Sequence, residues 1–159
     1  MIVMNVYDRM AELSVTLPPP PAKGGLYTPA VRFAGNLVYV SGCGPNIGGS
    51  NHIGKLGAEY SIEEGADFAR GCMLNVLAAL ESRVGDLNRV KRCVKVLTFV
   101  ACADTFYAQP QVANGGTKLL ADIFGDENGL PARSAIGVNV LPGNMPVETE
   151  ALFELIDGI

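Results

Sequence analysis

The sequence predicts an α+β fold in which two helices cover one face of a mixed sheet, and three observations carry that prediction. Two stretches, 61–85 and 106–124, repeat apolar residues at a spacing near that of an α-helix. Around them lie short alternating or β-branched runs bounded by Gly, Pro, Asn and Asp. In order these elements read as a short helix, then ββ(β)αβαββ, which gives a six-stranded sheet when the brief run at 52–56 is included.

At the N-terminus, 5–14 reads as an amphipathic helix, with Val6, Met10 and Leu13 at helical spacing. Leu17 and the prolines Pro18, Pro19, Pro20 and Pro21 stop it and form a stiff extended connector. Such a run can serve either as a spacer that pins the helix to the body or as a ligand for an aromatic groove on a partner. The natural division is therefore 1–23, helix and proline-rich connector, and 24–159, the body. The segment 27–33, a turn at Ala34, Gly35 and Asn36, and the strand 37–41 read as a hairpin that ends in Ser41, Gly42, Cys43, Gly44 and Pro45. The glycines there leave the backbone open to close approach. The span 46–59 is glycine-rich, and His52, the only histidine, is expected in a solvated loop.

Ser61 and Glu64 have the spacing of a capping box, so a long helix starts there, and Gly85 stops it. The run 90–101 reads as a long strand with Val90, Val94, Val96 and Val100 on one face and Cys93, Leu97 and Phe99 on the other. A second helix, 106–124, is weakened in its first half by Gly115 and Gly116. The strands 133–141 and 147–155 follow, joined around Pro142, Gly143 and Pro146, and read as a closing hairpin.

The chain has 159 residues, of which 48% are apolar and only 18% charged, lean in charge for a monomer that must cover its whole surface. An oligomer is the expectation, with a second subunit covering the sheet face the helices leave open. A formal charge of -4 gives no net attraction for phosphate backbones, which argues against a dedicated nucleic-acid binder. Cys43, Cys72, Cys93 and Cys102 form no CxxC and find no paired histidines, so no zinc site is expected. No stretch approaches the length of an apolar membrane span, and no charged leader precedes an apolar run. The expected setting is the cytoplasm, with the cysteines as thiols. No dinucleotide fingerprint, P-loop or nucleophile elbow is present, so no cofactor is expected.

The chemistry-bearing residues converge on the last two strands. Alternation separates Arg133, Ala135, Gly137 and Asn139 from Ser134, Ile136, Val138 and Val140, and puts Glu148 and Glu150 together on the face away from the helices. Across a hairpin, Arg133 and one glutamate would sit at the same end of the sheet. Arginine anchors a carboxylate through a bidentate fork, and glutamate can deprotonate water. The same spacing equally describes an ordinary Arg–Glu pair that ties strands or subunits. Cys43, between glycines in an open turn, is either an accessible nucleophile or a bystander thiol.

With these residues in view, the chain from Gly24 to Ile156 resembles the Rid family of reactive intermediate (enamine/imine) deaminases, also described as YjgF-like or L-PSP endoribonuclease-like proteins. The resemblance rests on 130–135, Leu-Pro-Ala-Arg-Ser-Ala, on Leu141 and Pro142, and on 147–151, Val-Glu-Thr-Glu-Ala. Tyr27, the Val40, Ser41, Gly42 run and Asn114 support it. The N-terminal helix, the proline run and 112–116 resemble a less characterised branch.

The resemblance implies a chorismate-mutase-like fold of the bacillary type, assembled as a homotrimer with pockets between subunits. It also implies cofactor-free hydrolysis of 2-imino acids such as 2-iminopropanoate to 2-oxo acids and ammonia. By the same resemblance Arg133 would bind the substrate carboxylate and Glu148 would position water, while Tyr27, Ser41, Gly42, Cys43, Asn114 and Ala135 would line the pocket. Cys43 stands where such proteins usually have glutamine, and Gly137 where many have glutamate. Two other functions stay open: a non-catalytic trimer that binds small carboxylate-bearing metabolites, and an endoribonuclease, which the acidic chain and its lone His52 disfavour.

Overall fold

The computed structural model describes residues 4–156; the outer ends of the two segments read from the sequence, 1–3 and 157–159, lie outside them. The helices are α1 (Val6–Glu12), α2 (Ile62–Val84), α3 (Gln109–Phe124) and the single turn α4 (Asp126–Gly129). The strands are β1 (Ala30–Phe33), β2 (Leu37–Cys43), β3 (Val90–Ala101), β4 (Ala132–Val138) and β5 (Val147–Leu155). They form one mixed sheet in the order β1-β2-β5-β3-β4. The expected sixth strand at 52–56 does not form. Gly54 has a φ of 126°, outside the range of a strand, and only Leu56 pairs, in isolated bridges to Tyr60 and Cys102.

Each helix end follows from local chemistry. Asn5 caps α1 by accepting the amides of Tyr7 and Asp8. The capping box forms at α2: Glu64 N donates to Ser61 Oγ at 3.2 Å, and Ser61 N donates to Glu64 Oε2 at 2.8 Å. Gly85, at a φ of 86°, ends that helix in the left-handed conformation. The glycines of α3 have a packing role that outweighs their helix cost. A Cβ at Gly115 would collide with the Ala66 carbonyl of α2, and one at Gly116 would stand 3.1 Å from the Ala69 carbonyl.

The core lies between α2, α3 and one sheet face. Val38, Val40, Val96, Ala151, Phe153 and Leu155 are buried there against Met73, Val76, Leu77, Leu80 and Leu120, while Val100 packs in a second cluster with Phe68, Cys72 and Val112. Deleting a side chain such as Phe153, fully buried, would cost about 3–5 kcal/mol. The alternation expected along β3 is broken. Register shifts between Val90 and Arg92, and again between Cys93 and Lys95, turn Cys93 inward with Val96 and leave Val94 half-buried. The opposite sheet face has no covering element among the described residues. Val31 (50%), Phe33 (42%), Tyr39 (41%) and Ile136 (42%) stand exposed on it.

The closing hairpin is replaced by a different connection. β4 runs parallel to β3, which also pairs antiparallel with β5, so β3 lies between the two final strands. The 139–146 link, with a single 3₁₀ turn at Pro142–Asn144, is too long for a tight hairpin and crosses the end of β3 instead. Gly54 N and Ala101 N donate to the Asn144 and Pro146 carbonyls and hold that crossing in place. No described helix is long and apolar enough to cross a membrane.

Candidate functional site

The residues singled out from the sequence fall into two separate groups. Arg133 faces Val96 across β3, on the helix-covered side, and Glu148 faces Phe99 on the uncovered side. Two strand spacings and three residues of rise separate them, about 14 Å. The expectation that they meet at one end of the sheet is therefore corrected. So is their alternative reading as a salt bridge within the chain. The interposed strand β3 and the alternation of faces together forbid the contact.

The first group gathers on β4 and α3. Arg133 Nη1 donates to Asn114 Oδ1 at 2.8 Å and to Thr117 Oγ1 at 3.2 Å. Thr117, itself buried, donates on to the Ala113 carbonyl. Asn114 and Thr117 lie three residues apart, on one helix face, so α3 presents two neutral acceptors to the guanidinium. No carboxylate among the described residues lies within ion-pair distance of Arg133. Ala135 follows two residues on, on the same face, and its small side chain leaves the space beside the arginine open. At Gly137 a Cβ would meet Gln109 Nε2 at 2.8 Å and Cys102 Sγ at 3.0 Å, so an amide and a thiol of this chain fill the position.

The second group lines a cavity of about 720 Å³ at the β2–β5 end of the sheet. Tyr27, Ser41, Gly42, Cys43, Glu148 and Glu150 all border it. A register shift between Val40 and Cys43 bulges Ser41 and Gly42 out of the ladder. The Glu148 carboxylate lies against Gly42, where any Cβ would overlap it, which explains the glycine. Ser41 Oγ donates to the Thr28 carbonyl at 2.7 Å, and Tyr27 Oη accepts from Gly24 N at 3.2 Å. These two bonds fold the 24–29 segment over the cavity.

Glu148 is half-buried and makes no ion pair among the described residues. Burial, and secondarily the Glu150 charge, push its carboxyl above the usual glutamate range. Glu150 is engaged elsewhere, accepting from Tyr39 Oη at 2.8 Å. Among the described residues, Glu148 and Glu150 are the only charged side chains on the cavity wall. The cavity can thus take a proton from water but offers no cation to hold a carboxylate. Cys43 is buried, donates to the Ser41 carbonyl at 3.5 Å, and is pushed up to about 12 by burial and then by the Glu148 charge. At neutral pH it is a thiol, which removes the reading of Cys43 as an activated nucleophile. His52 is not simply solvated, because its ring packs 4.7 Å from that of Phe68. Among the described residues no group of His, Cys, Asp and Glu is arranged to hold a metal.

Several site residues were missed from sequence. Thr117 was readable from its i,i+3 spacing to Asn114. Pro21, Ala22, Asn75, Ala79 and Met145 also line the cavity, and of these only the proline run left a signal.

Residues 19–154 match the family model described as Endoribonuclease L-PSP. The chain is 40% identical over 152 residues to Protein TCP17 of Trypanosoma cruzi, covering 95% of this chain and 94% of that one. It superposes on the structure of protein Atu1372 of Agrobacterium tumefaciens with a TM-score of 0.84 at 34% identity, covering 94% and 93% of the two chains. Against the YjgF gene product of E. coli the TM-score is 0.60 at 26% identity, covering 87% and 94%.

Proposed function

The chain belongs to the Endoribonuclease L-PSP family and shares the YjgF-like fold, and from that premise we propose that it hydrolyses 2-imino acids at clefts between subunits of a homotrimer. The observation that carries the reading is the division of the site. An unpaired acid lines a cavity without a cation, and an arginine held only by neutral acceptors stands on another strand and another face. Copies packed in a ring repeat one heterologous contact, which can bring the Arg133 edge of one protomer to the Glu148 cavity of the next. The uncovered sheet face, with Val31, Phe33, Tyr39 and Ile136 exposed, supplies an apolar surface for that packing.

In this reading Arg133 forks the substrate carboxylate, and Asn114 and Thr117 fix the guanidinium by occupying Nη1 alone. Ionised Glu148 accepts a proton from water as the oxygen attacks the C=N carbon and the nitrogen is protonated. Collapse of the resulting amino alcohol breaks the C–N bond, releases ammonia and leaves the 2-oxo acid. One water is consumed, and nothing is oxidised or reduced. The raised pKa of Glu148 makes it a stronger base than an ordinary carboxylate. Tyr27, Ser41, Gly42, Cys43 and Ala135 shape the pocket around these two groups. Within the chain, 1–23 serves as an appended helix and connector and 24–159 as the catalytic body.

The test is to add the protein to freshly generated 2-imino acids and follow release of 2-oxo acid and ammonia. Acceleration by the wild-type protein that is lost in Arg133→Ala supports the reading. An unchanged rate with wild-type protein rejects it.

A further inference from the structure

The cavity is larger than the smallest imino acids need, and the elements that line it differ in chemistry. At about 720 Å³ it lies in the range that holds drug-sized ligands. Its charged groups, Glu148 and Glu150, stand at the β5 end. The rest of the wall includes Pro21 and Ala22 of the N-terminal connector, Ala79 and Asn75 of α2, and Met145. Among the described residues these bring no charged side chain to the cavity, and Asn75 and Asn46 already bond within this chain. Asn75 Nδ2 donates to the Gly44 carbonyl at 2.9 Å and to the Asn46 carbonyl at 3.0 Å, while Asn46 Oδ1 accepts from His52 N. The Met145 thioether packs against Gly44, standing 2.6 Å from where a Cβ would lie.

The connector wall is held from both directions. Upstream, Tyr7 Oη donates to Glu81 at 2.7 Å and accepts from Leu87 N at 3.0 Å. Arg9 Nε donates to the Asp122 carbonyl at 2.9 Å, and Val6, Met10 and Val15 are buried in the main core. Downstream, Ser41 holds the Thr28 carbonyl. Between these anchors the prolines fix φ, so the wall keeps its position with little entropy to lose on binding.

We propose that the 18–24 strap and α2 form a slot that takes an extended, uncharged, apolar substituent of the substrate, making the strap a specificity-determining wall. This rests on the imino acid reading above and narrows its substrate class. A charged substituent would lose its water in the slot and meet no charged side chain from the strap or α2, whereas an aliphatic or aromatic one buries its surface against Pro21, Ala22, Ala79 and Met145.

The experiment compares kcat/KM for imines generated from alanine, leucine, phenylalanine and arginine, in wild-type protein and in Ala22→Phe. Ala22 is exposed on the strap, so the variant folds and narrows the slot. The expected result is a preference for the leucine- or phenylalanine-derived imine over the alanine-derived one of about tenfold or more, with the arginine-derived imine disfavoured. That ratio falls by a similar factor in Ala22→Phe. In parallel, 2-oxo-4-methylpentanoate raises the melting temperature of the wild-type protein more than pyruvate does, and Ala22→Phe erases the difference. Hydrolysis of all four imines without preference, or a ratio untouched by Ala22→Phe, overturns the slot while leaving the imine reading standing. Hydrolysis of none overturns the imine reading. The oxo acid measurement then decides the slot alone, and equal stabilisation by both acids sinks it.

Discussion

Arg133 and Glu148 sit on strands that share β3 as a neighbour, yet their surroundings are opposite in kind. The arginine stands on an edge strand, half-exposed, its geometry set by two neutral oxygens from α3. The glutamate borders the cavity lined by β2 and β5, pressed against a bulged glycine, with burial raising its proton affinity. One region is a guanidinium fixed by neutral acceptors, and the other is a desolvated carboxyl. Neither forms an ion pair among the described residues. That separation teaches more than either residue does, because it is what the proposed site between copies is built on.

The largest expected effect lies on the base. Glu148→Gln keeps the shape of the side chain and removes the proton acceptor, so kcat for imine hydrolysis should fall by about 10²–10⁴-fold with binding of 2-oxo acids retained. Loss of binding instead would place Glu148 in ligand capture and blur the division between the regions.

Arg133→Ala comes next. A hydrogen-bonded charge contact contributes about 1.5–3 kcal/mol, so kcat/KM should drop by about 10–10²-fold, mainly through KM. Arg133→Lys should recover little of it, because an ammonium lacks the planar fork. Full rescue by lysine would mean that Arg133 acts only as a point charge.

Gly42→Ala probes the contact that seats the carboxylate. The added methyl would overlap the Glu148 carboxylate, so Glu148 must move. A loss of about tenfold in kcat with near-normal KM is expected, and circular dichroism and melting should show the fold intact. A variant with wild-type kcat would free Glu148 of its assigned position.

The smallest effect is on the pH profile. Because Glu148 titrates above the ordinary glutamate value, kcat/KM should rise with pH through that raised value. Stability follows the opposite sign. The folded state holds this proton more tightly than the unfolded state does, so the contribution is present at low pH and is lost as pH rises through the raised pKa. Glu150→Gln removes the secondary cause and should move the acidic limb of the activity profile to lower pH by less than burial has raised it. A limb that stays in place would assign the whole shift to burial.

Much of the fold was legible because local chemistry and burial agreed. The capping box at Ser61 and Glu64, the glycine stop at Gly85 and the alternation from Val147 to Leu155 each form as their spacing requires. Misreadings arose where non-local pairing decided the outcome. β4 and β5 look like a hairpin in one dimension, but the crossover through α3 lets β4 pair parallel to β3, and no local residue announces that choice. The register shifts along β3 likewise move Cys93 inward against the simple alternation. The two halves of the site were visible as residue types. Their placement on opposite faces was not, because it depends on which strand lies between them. The connector's role as a cavity wall was hidden for a related reason: prolines declare stiffness, not what they lean against.

The division itself is tested most directly by mixing two impaired proteins. Arg133→Ala and Glu148→Gln are unfolded together, refolded at equal concentration so that protomers mix at random, and assayed for imine hydrolysis. If each site takes its arginine from one protomer and its glutamate from the next, about one site in four is intact in the mixture. Assayed at substrate well below KM, the mixture should then regain about a quarter of the wild-type rate, against about a tenth or less for either variant alone. If both residues serve one site within a single chain, every site carries a defect, and a mixture no more active than its parents would contradict the account.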